Sequence, residues 1–189
     1  MRRSALDKLI SFVGLALAAL LIVGGGLLTW ASTFVANQVE DQLTAQRITM
    51  PSGPALDALG NEEDKKALEP YAGNLMSTGD EAKAFADNYI LNHMNASSDG
   101  KTYEEVSGEY MKIEDKTTPE AQEMAQLRQS LFMGNSLRGL LLNAYAFGTM
   151  GKIAGIAAIA AFVGGAVMIV LSLLGFRHAK SDRGNQVIS

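Results

Sequence analysis

The stretch LISFVGLALAALLIVGGGLLTWASTFVANQV, residues 9–39, contains no charged side chain. At about 1.5 Å per helical residue it is longer than the roughly 30 Å apolar core of a bilayer. A second run, IAGIAAIAAFVGGAVMIVLSLLGF at residues 153–176, has the same property. Of the 189 residues 48% are apolar and 19% charged, and because most charges lie between the two runs, the averages conceal a three-part chain. The pattern predicts an all-α membrane protein, with two transmembrane helices and a small helical extracytoplasmic domain between them. The expected division is a cytoplasmic N-terminus at 1–8, a first span at 9–36, the extracytoplasmic domain at 37–151, a second span at 152–176 and a cytoplasmic tail at 177–189. A length of this order fits one domain with anchors and excludes a large multidomain enzyme.

The formal charge of −4 divides unevenly. Arg2, Arg3 and Lys8 outweigh Asp7 at one end, and Arg177, Lys180 and Arg183 outweigh Asp182 at the other. The region from 37 to 152 carries 18 acidic against 10 basic residues, a balance of −8. Basic flanks stay on the cytoplasmic side of a membrane, so both termini are expected in the cytoplasm of a plasma-membrane protein and the acidic middle outside. Ala16-Leu17-Ala18 has the small-x-small form of a signal-peptidase site, but the apolar run continues to Val35, longer than a usual signal h-region. Arg2-Arg3 partly resembles a twin-arginine signal, with Ala5 where an aromatic belongs; it is read as anchoring charge.

Both spans are rich in small residues: Gly14, Ala18 and Gly24-Gly25-Gly26 in the first, and Gly151-x-x-x-Gly155, Ala154-x-x-x-Ala158, Ala160-x-x-x-Gly164 and Ala161-x-x-x-Gly165 in the second. Within lipid, close backbone approach at such residues drives helix association. Gly24, Gly25, Gly155 and Gly164 are therefore the candidate helix-packing sites for another membrane subunit, and mutual packing of the two spans is the competing reading. Trp30 and Phe176 are placed near the outer and inner interfaces, where aromatic residues concentrate.

Between the spans, residues 37–47 are expected to continue the first helix until Met50-Pro51-Ser52-Gly53-Pro54 ends it. Asn61 caps a short acidic helix over 62–68, with Pro70 beyond its end. Thr78-Gly79-Asp80-Glu81 has capping-box spacing, after which Ala82, Phe85, Ala86, Tyr89, Ile90, His93 and Met94 recur at helical steps and predict one inward apolar face. His93 there is read as a hydrogen-bonded core or rim residue. Asn95-Ala96-Ser97 is formally a glycosylation sequon and decides nothing by itself. Asp99-Gly100 marks a turn, and Thr102-Tyr103-Glu104-Glu105 opens another helix with Tyr103, Val106 and Tyr110 on one side. Thr118-Pro119-Glu120 begins a third, with Met124, Leu127, Leu131 and Phe132 as its buried stripe. Gly134-Asn135-Ser136 is expected to interrupt or bend it. Residues 137–147 are apolar almost all round and need cover, but only 13 uncharged residues separate Arg138 from Lys152, too few for a span; a core or interfacial helix is expected. Lys152 is read as extending its amine into the headgroups.

Without cysteine the chain makes no disulfide, zinc-thiolate site, iron-sulfur cluster or covalent c-type haem. No phosphate loop, His-Glu-x-x-His motif or nucleophile elbow is present. The acidic pairs Glu62-Glu63, Glu104-Glu105 and Glu114-Asp115 lack calcium-loop spacing, and the acidic middle repels nucleic acid. No catalytic residue, metal or cofactor is expected.

Residues 79–93, 101–107 and 131–147 resemble a family of small actinobacterial membrane proteins, and the similarity covers most of the chain. It implies a helical extracytoplasmic domain held by two helices, and a place among accessory subunits of the cytochrome bcc and terminal oxidase respiratory supercomplex. Ring-opening dioxygenase activity, a label such relatives carry, requires an iron site that two distant histidines, His93 and His178, do not supply. The expected function is thus a non-enzymatic accessory subunit that stabilises or organises a larger membrane complex, with membrane lipids and other integral subunits, such as cytochrome bcc and oxidase subunits, as partners. The alternative is an envelope sensor or lipid-binding module whose apolar stretch near Leu140–Phe147 closes over a ligand in a cavity lined by Phe85, Tyr89 and Leu141. A membrane-bound hydrolase ranks third.

Overall fold

The computed structural model describes residues 3–181. Arg2, Asp182 and Arg183, which enter the charge argument, lie outside the described residues. Among the described residues the fold is all-helical, with no strand. Two helices are long and apolar enough to cross a membrane: α1 (Arg3–Ala45) and α7 (Pro119–Ala179), of 43 and 61 residues. The described residues separate into two compact units, a helix pair drawn from residues 3–35 and 150–181 and a central unit, Ala36–Thr149.

In the helix pair, α1 and α7 run antiparallel in one constant register, and small residues set it. Ser32 Oγ lies where a Cβ at Gly155 would be 3.0 Å away, and Val35 packs on Gly151. Further along, Phe162 covers Gly25, and Gly165 faces Ile22 and the Ala18 carbonyl. At the far end the contact becomes reciprocal: Ser11-Phe12-Val13-Gly14 meets Ser172-Leu173-Leu174-Gly175, so that the Ser11 hydroxyl sits on Gly175 and the Ser172 hydroxyl on Gly14. Both serines are buried. The Ser11 hydroxyl donates to the Asp7 carbonyl at 2.7 Å, so its polarity is satisfied within its own helix. Phe12 and Phe176 pack edge to face at 5.0 Å.

The central unit is built from the end of α1 and seven short helical segments leading into α7. α1 stops at Ala45 because Arg47 turns left-handed (φ 52°) ahead of Pro51. Residues 48–50 then pair with 73–76, through Met50 N–H to the Asn74 carbonyl (2.8 Å) and Met76 N–H to the Ile48 carbonyl (2.9 Å), which buries Met50 and Met76. After α2 (Pro54–Asp57), Asn61 caps α3 (Glu62–Leu68) by accepting from the Glu63 N–H at 2.9 Å, and a 3₁₀ turn (Glu69–Tyr71) comes next at Pro70. The capping boxes at Thr78 and Thr102 are both formed, opening α4 (Gly79–Ala84) and α6 (Tyr103–Lys112). Thr118 accepts from the Ala121 N–H at 3.2 Å where α7 begins. Val39, Leu43, Leu59, Leu68, Val106, Leu131 and Leu141 are buried with the two methionines, each large side chain contributing about 1.5–3 kcal/mol by leaving water.

Two expectations are corrected. Gly134-Asn135-Ser136 does not interrupt the helix; α7 is continuous through it. The glycine has a different use, since a Cβ there would lie 2.6 Å from Met94 Sδ, and its bare backbone admits that side chain. Phe132, expected in the buried stripe, is 53% exposed, with its ring beside Tyr103 at 6.0 Å. A third difference lies between α4 and α5 (Leu91–Ser98), where residues Phe85–Ile90 form a π turn.

Candidate functional site

A π turn adds a residue to the helical circuit and rotates the residues C-terminal to it. The apolar residues that simple periodicity put on one inward face differ in burial around this turn. Ala82, Ala84 and Ala86 go into the core, while Phe85 and Tyr89 are only half-buried and His93 is exposed. The three rings stack along the helix surface, Phe85 to Tyr89 at 4.9 Å and Tyr89 to His93 at 4.3 Å. With Ile90, Met94, Leu131 and Leu137 they line an apolar groove of about 350 Å³, which Ser97 and Ser130 also border.

The groove has a polar end with a defined hydrogen-bonding sense. His93 Nδ1 lies 2.8 Å from the Tyr89 carbonyl, which can only accept, so Nδ1 carries the proton and in the neutral ring Nε2 is an acceptor. The Ser97 hydroxyl donates to the Met94 carbonyl at 2.9 Å, leaving its lone pairs available. The groove therefore suits an apolar or flat group that carries a hydrogen-bond donor.

The π turn is braced from α7. Leu91 N–H reaches the Ala86 carbonyl, closing the wide turn, and Arg138 Nε donates to the same carbonyl at 3.0 Å. The Arg138 guanidinium also meets Asp87 at 3.1 Å, and Lys83 meets the other Asp87 oxygen at 2.5 Å. Burial pushes the Asp87 carboxyl up, but hydrogen bonds from Lys83 and Arg138 outweigh it and hold its pKa below the usual value. The same contest occurs at Glu81, where burial is outweighed by the N–H and hydroxyl groups of Ser77 and Thr78. The Asp87 carboxylate raises the Lys83 pKa in return. These groups are held charged by structural bonds rather than poised near neutrality for proton transfer.

The four candidate glycines separate into three situations. Gly25 and Gly155 are covered by the chain's own opposite helix, by Phe162 and Ser32. Gly164 touches Leu21 at ordinary contact distance, 3.5 Å for an added Cβ. Gly24 has nothing within 4 Å, and neither has Gly26.

No family model, curated protein or solved structure matches the chain.

Among the described residues, no three His, Asp or Glu side chains converge as a metal site; His93 belongs to the central unit and His178 to the helix pair, where its Nδ1 meets Asp7 at 2.9 Å. Leu141, expected to line the cavity, does not border the groove; Leu131 and Leu137 of the same helix do. Arg138 was missing from the sequence-based site. Its signal was a lone cation inside the apolar run 137–147, which needs a buried acceptor to justify its position.

Proposed function

We propose that the chain is a non-enzymatic accessory subunit of a larger membrane complex, crossing the plasma membrane twice with both termini cytoplasmic and the acidic central unit extracytoplasmic. The observation that carries this reading is the uneven use of the glycines. Gly14, Gly25, Gly151, Gly155, Gly165 and Gly175 are consumed in holding α1 to α7. Gly24 and Gly26 lie bare on α1, where a helix of another subunit can approach closely without disturbing the pair. The resemblance of residues 79–93, 101–107 and 131–147 to actinobacterial membrane proteins is the support for naming the cytochrome bcc and oxidase supercomplex as that larger complex.

The test is purification of the tagged chain from its native host in mild detergent, with mass spectrometry and a haem absorption spectrum. Stoichiometric cytochrome subunits are expected, and Gly24→Leu is expected to lose them while keeping the helix pair intact. A chain recovered alone and without haem refutes the respiratory placement; unchanged co-purification of Gly24→Leu refutes the contact.

A second reading, a ligand-binding module, is favoured by the groove lined by Phe85, Tyr89 and His93. On that reading Tyr89→Ala loses a small apolar molecule that co-purifies with the wild type and is identified by mass spectrometry of an organic extract. An empty wild-type extract rejects it.

A further inference from the structure

The last turns of α7 carry an exposed stripe beside the helix-pair seam. Val170, Leu173, Leu174, Phe176, Arg177 and Lys180 line a depression of about 500 Å³. Val170, Leu173, Arg177 and Lys180 succeed one another at three- and four-residue steps, so they form a single stripe on the helix surface. The stripe changes character along its length, from branched apolar side chains to two cations. Val170, Leu173 and Leu174 are exposed, and so are Arg177 and Lys180.

Among the described residues the nearby charges leave these cations uncompensated. The carboxylate facing this end of the pair from α1 is Asp7, and it is engaged by His178 at 2.9 Å; Lys8, its neighbour, adds positive charge. Among the described residues no carboxylate pairs with Arg177 or Lys180. Two exposed cations with no carboxylate partner among the described residues, above an apolar shelf, call for a counter-ion that is itself amphiphilic.

We infer that this stripe is a seat for an anionic phospholipid, with the phosphate between Arg177 and Lys180 and an acyl chain along Leu173 and Val170. The inference rests on the reading that α7 crosses a membrane. A free phosphate would use the cations and leave the shelf wet, whereas a zwitterionic lipid would cover the shelf and bring no net charge to the cations. Basic groups at a helix end reach headgroup phosphates while their stems stay on apolar surface.

The experiment places the full-length chain in nanodiscs of equal phosphatidylglycerol and phosphatidylcholine, extracts it with mild detergent and counts the retained lipids by native mass spectrometry. Wild type is expected to retain phosphatidylglycerol over phosphatidylcholine by about tenfold or more. Arg177→Gln/Lys180→Gln is expected to retain the two equally, and Arg177→Lys to keep the preference. Equal retention by wild type, or a preference unchanged in the double variant, overturns the inference. Displacement of phosphatidylglycerol by millimolar inorganic phosphate alone also overturns it, by reducing the seat to a simple anion site. Alkaline carbonate extraction of cell membranes separates this failure from that of the membrane reading: release of wild type into the soluble fraction defeats both, whereas a chain that stays in the membrane yet shows no lipid preference defeats the inference alone.

Discussion

Replacing Gly79 by alanine is expected to destabilise the central unit, although alanine has the higher intrinsic helix propensity. Gly79 is the first residue of α4 and lies against the backbone of α7. An added Cβ would sit 2.9 Å from Tyr145 Cα and 3.0 Å from the Ala144 carbonyl oxygen. Carbon contacts relax at about 3.5–4.0 Å, so α4 must lift from α7 by roughly 0.5–1 Å. Both neighbours are backbone atoms of a long helix and have no rotamer through which to yield. Overpacking of this kind costs about 1–3 kcal/mol, and the propensity gain at a helix's first residue offsets less than about 1 kcal/mol of it. The net loss is about 1–2 kcal/mol, which lowers the melting temperature by roughly 4–8 °C per kcal/mol for a domain of about 100 residues. Two controls share the chemistry and not the geometry. Across the same contact, a Cβ at Gly148 would meet Gly79 Cα at 3.6 Å, an ordinary distance, and Gly108 in mid-α6 has nothing within 4 Å. Gly148→Ala should be neutral or mildly stabilising, and Gly108→Ala should stabilise by about 0.5–1 kcal/mol. The chain supplies its own probes: Tyr71, Tyr89, Tyr103, Tyr110 and Tyr145 all lie in the central unit, while the one tryptophan, Trp30, lies in the helix pair. Tyrosine near-ultraviolet circular dichroism of the detergent-solubilised chain, followed through thermal unfolding, isolates the affected unit. Gly79→Ala melting at or above wild type, or Gly108→Ala losing as much as Gly79→Ala, would refute the close-approach argument.

Other perturbations have equally specific outcomes. Gly155→Leu should separate α1 from α7, because the new side chain meets Ser32, and should change Trp30 emission; Gly26→Leu, in open space, should leave it unchanged. Thr78→Ala removes the cap of α4 and should cost about 0.5–2 kcal/mol, read from the tyrosine signal. Glu81 and Asp87 have folded pKa values below their usual 4.5 and 3.8, so the unfolded chain binds more protons in acid. Their stabilisation is complete above those values and lost as pH falls through the lowered ones. Lys83, raised above 10.5, contributes below that value and loses its contribution as pH climbs past it. A tyrosine-monitored stability plateau between the two limits is expected, and Glu81→Gln should flatten its acid edge; an acid edge identical to wild type would remove Glu81 from the explanation. Arg138→Gln should cost about 1.5–3 kcal/mol, the worth of hydrogen bonds from a charged donor, and should speed amide exchange at Leu91, whose N–H closes the π turn.

Features that depend on a few adjacent residues were legible without the structure. Asn61, Thr78, Thr102 and Thr118 each cap the helix that their spacing announced, because a side-chain oxygen and the nearby N–H groups decide that matter locally. The two apolar helices could be read from length and charge alone. The features that were not legible depended on contacts between distant segments. Gly134 reads as a breaker until Met94, forty residues earlier, is seen to need its bare backbone. Phe85, Tyr89 and His93 read as a core stripe because the steps between them are helical; they are half-buried or exposed instead, and the π turn in which Phe85 and Tyr89 lie is held by Arg138, a residue on another helix.

The candidate glycines show the same division more sharply. A small-x-x-x-small pattern states that a backbone can be approached and is silent on which helix approaches it. The reciprocal Ser11/Gly175 and Gly14/Ser172 contacts answer that question for one end of the pair. Each serine-to-glycine step of three residues is matched by the same step on the opposite helix, which only an antiparallel partner in this register can satisfy. A glycine whose counterpart lies in the same chain stabilises the fold, and its replacement should be read first in the helix pair. Gly24 has no such counterpart among the described residues, so a substitution there that leaves Trp30 emission unchanged and still alters co-purification isolates the contact with another subunit from the integrity of the anchor.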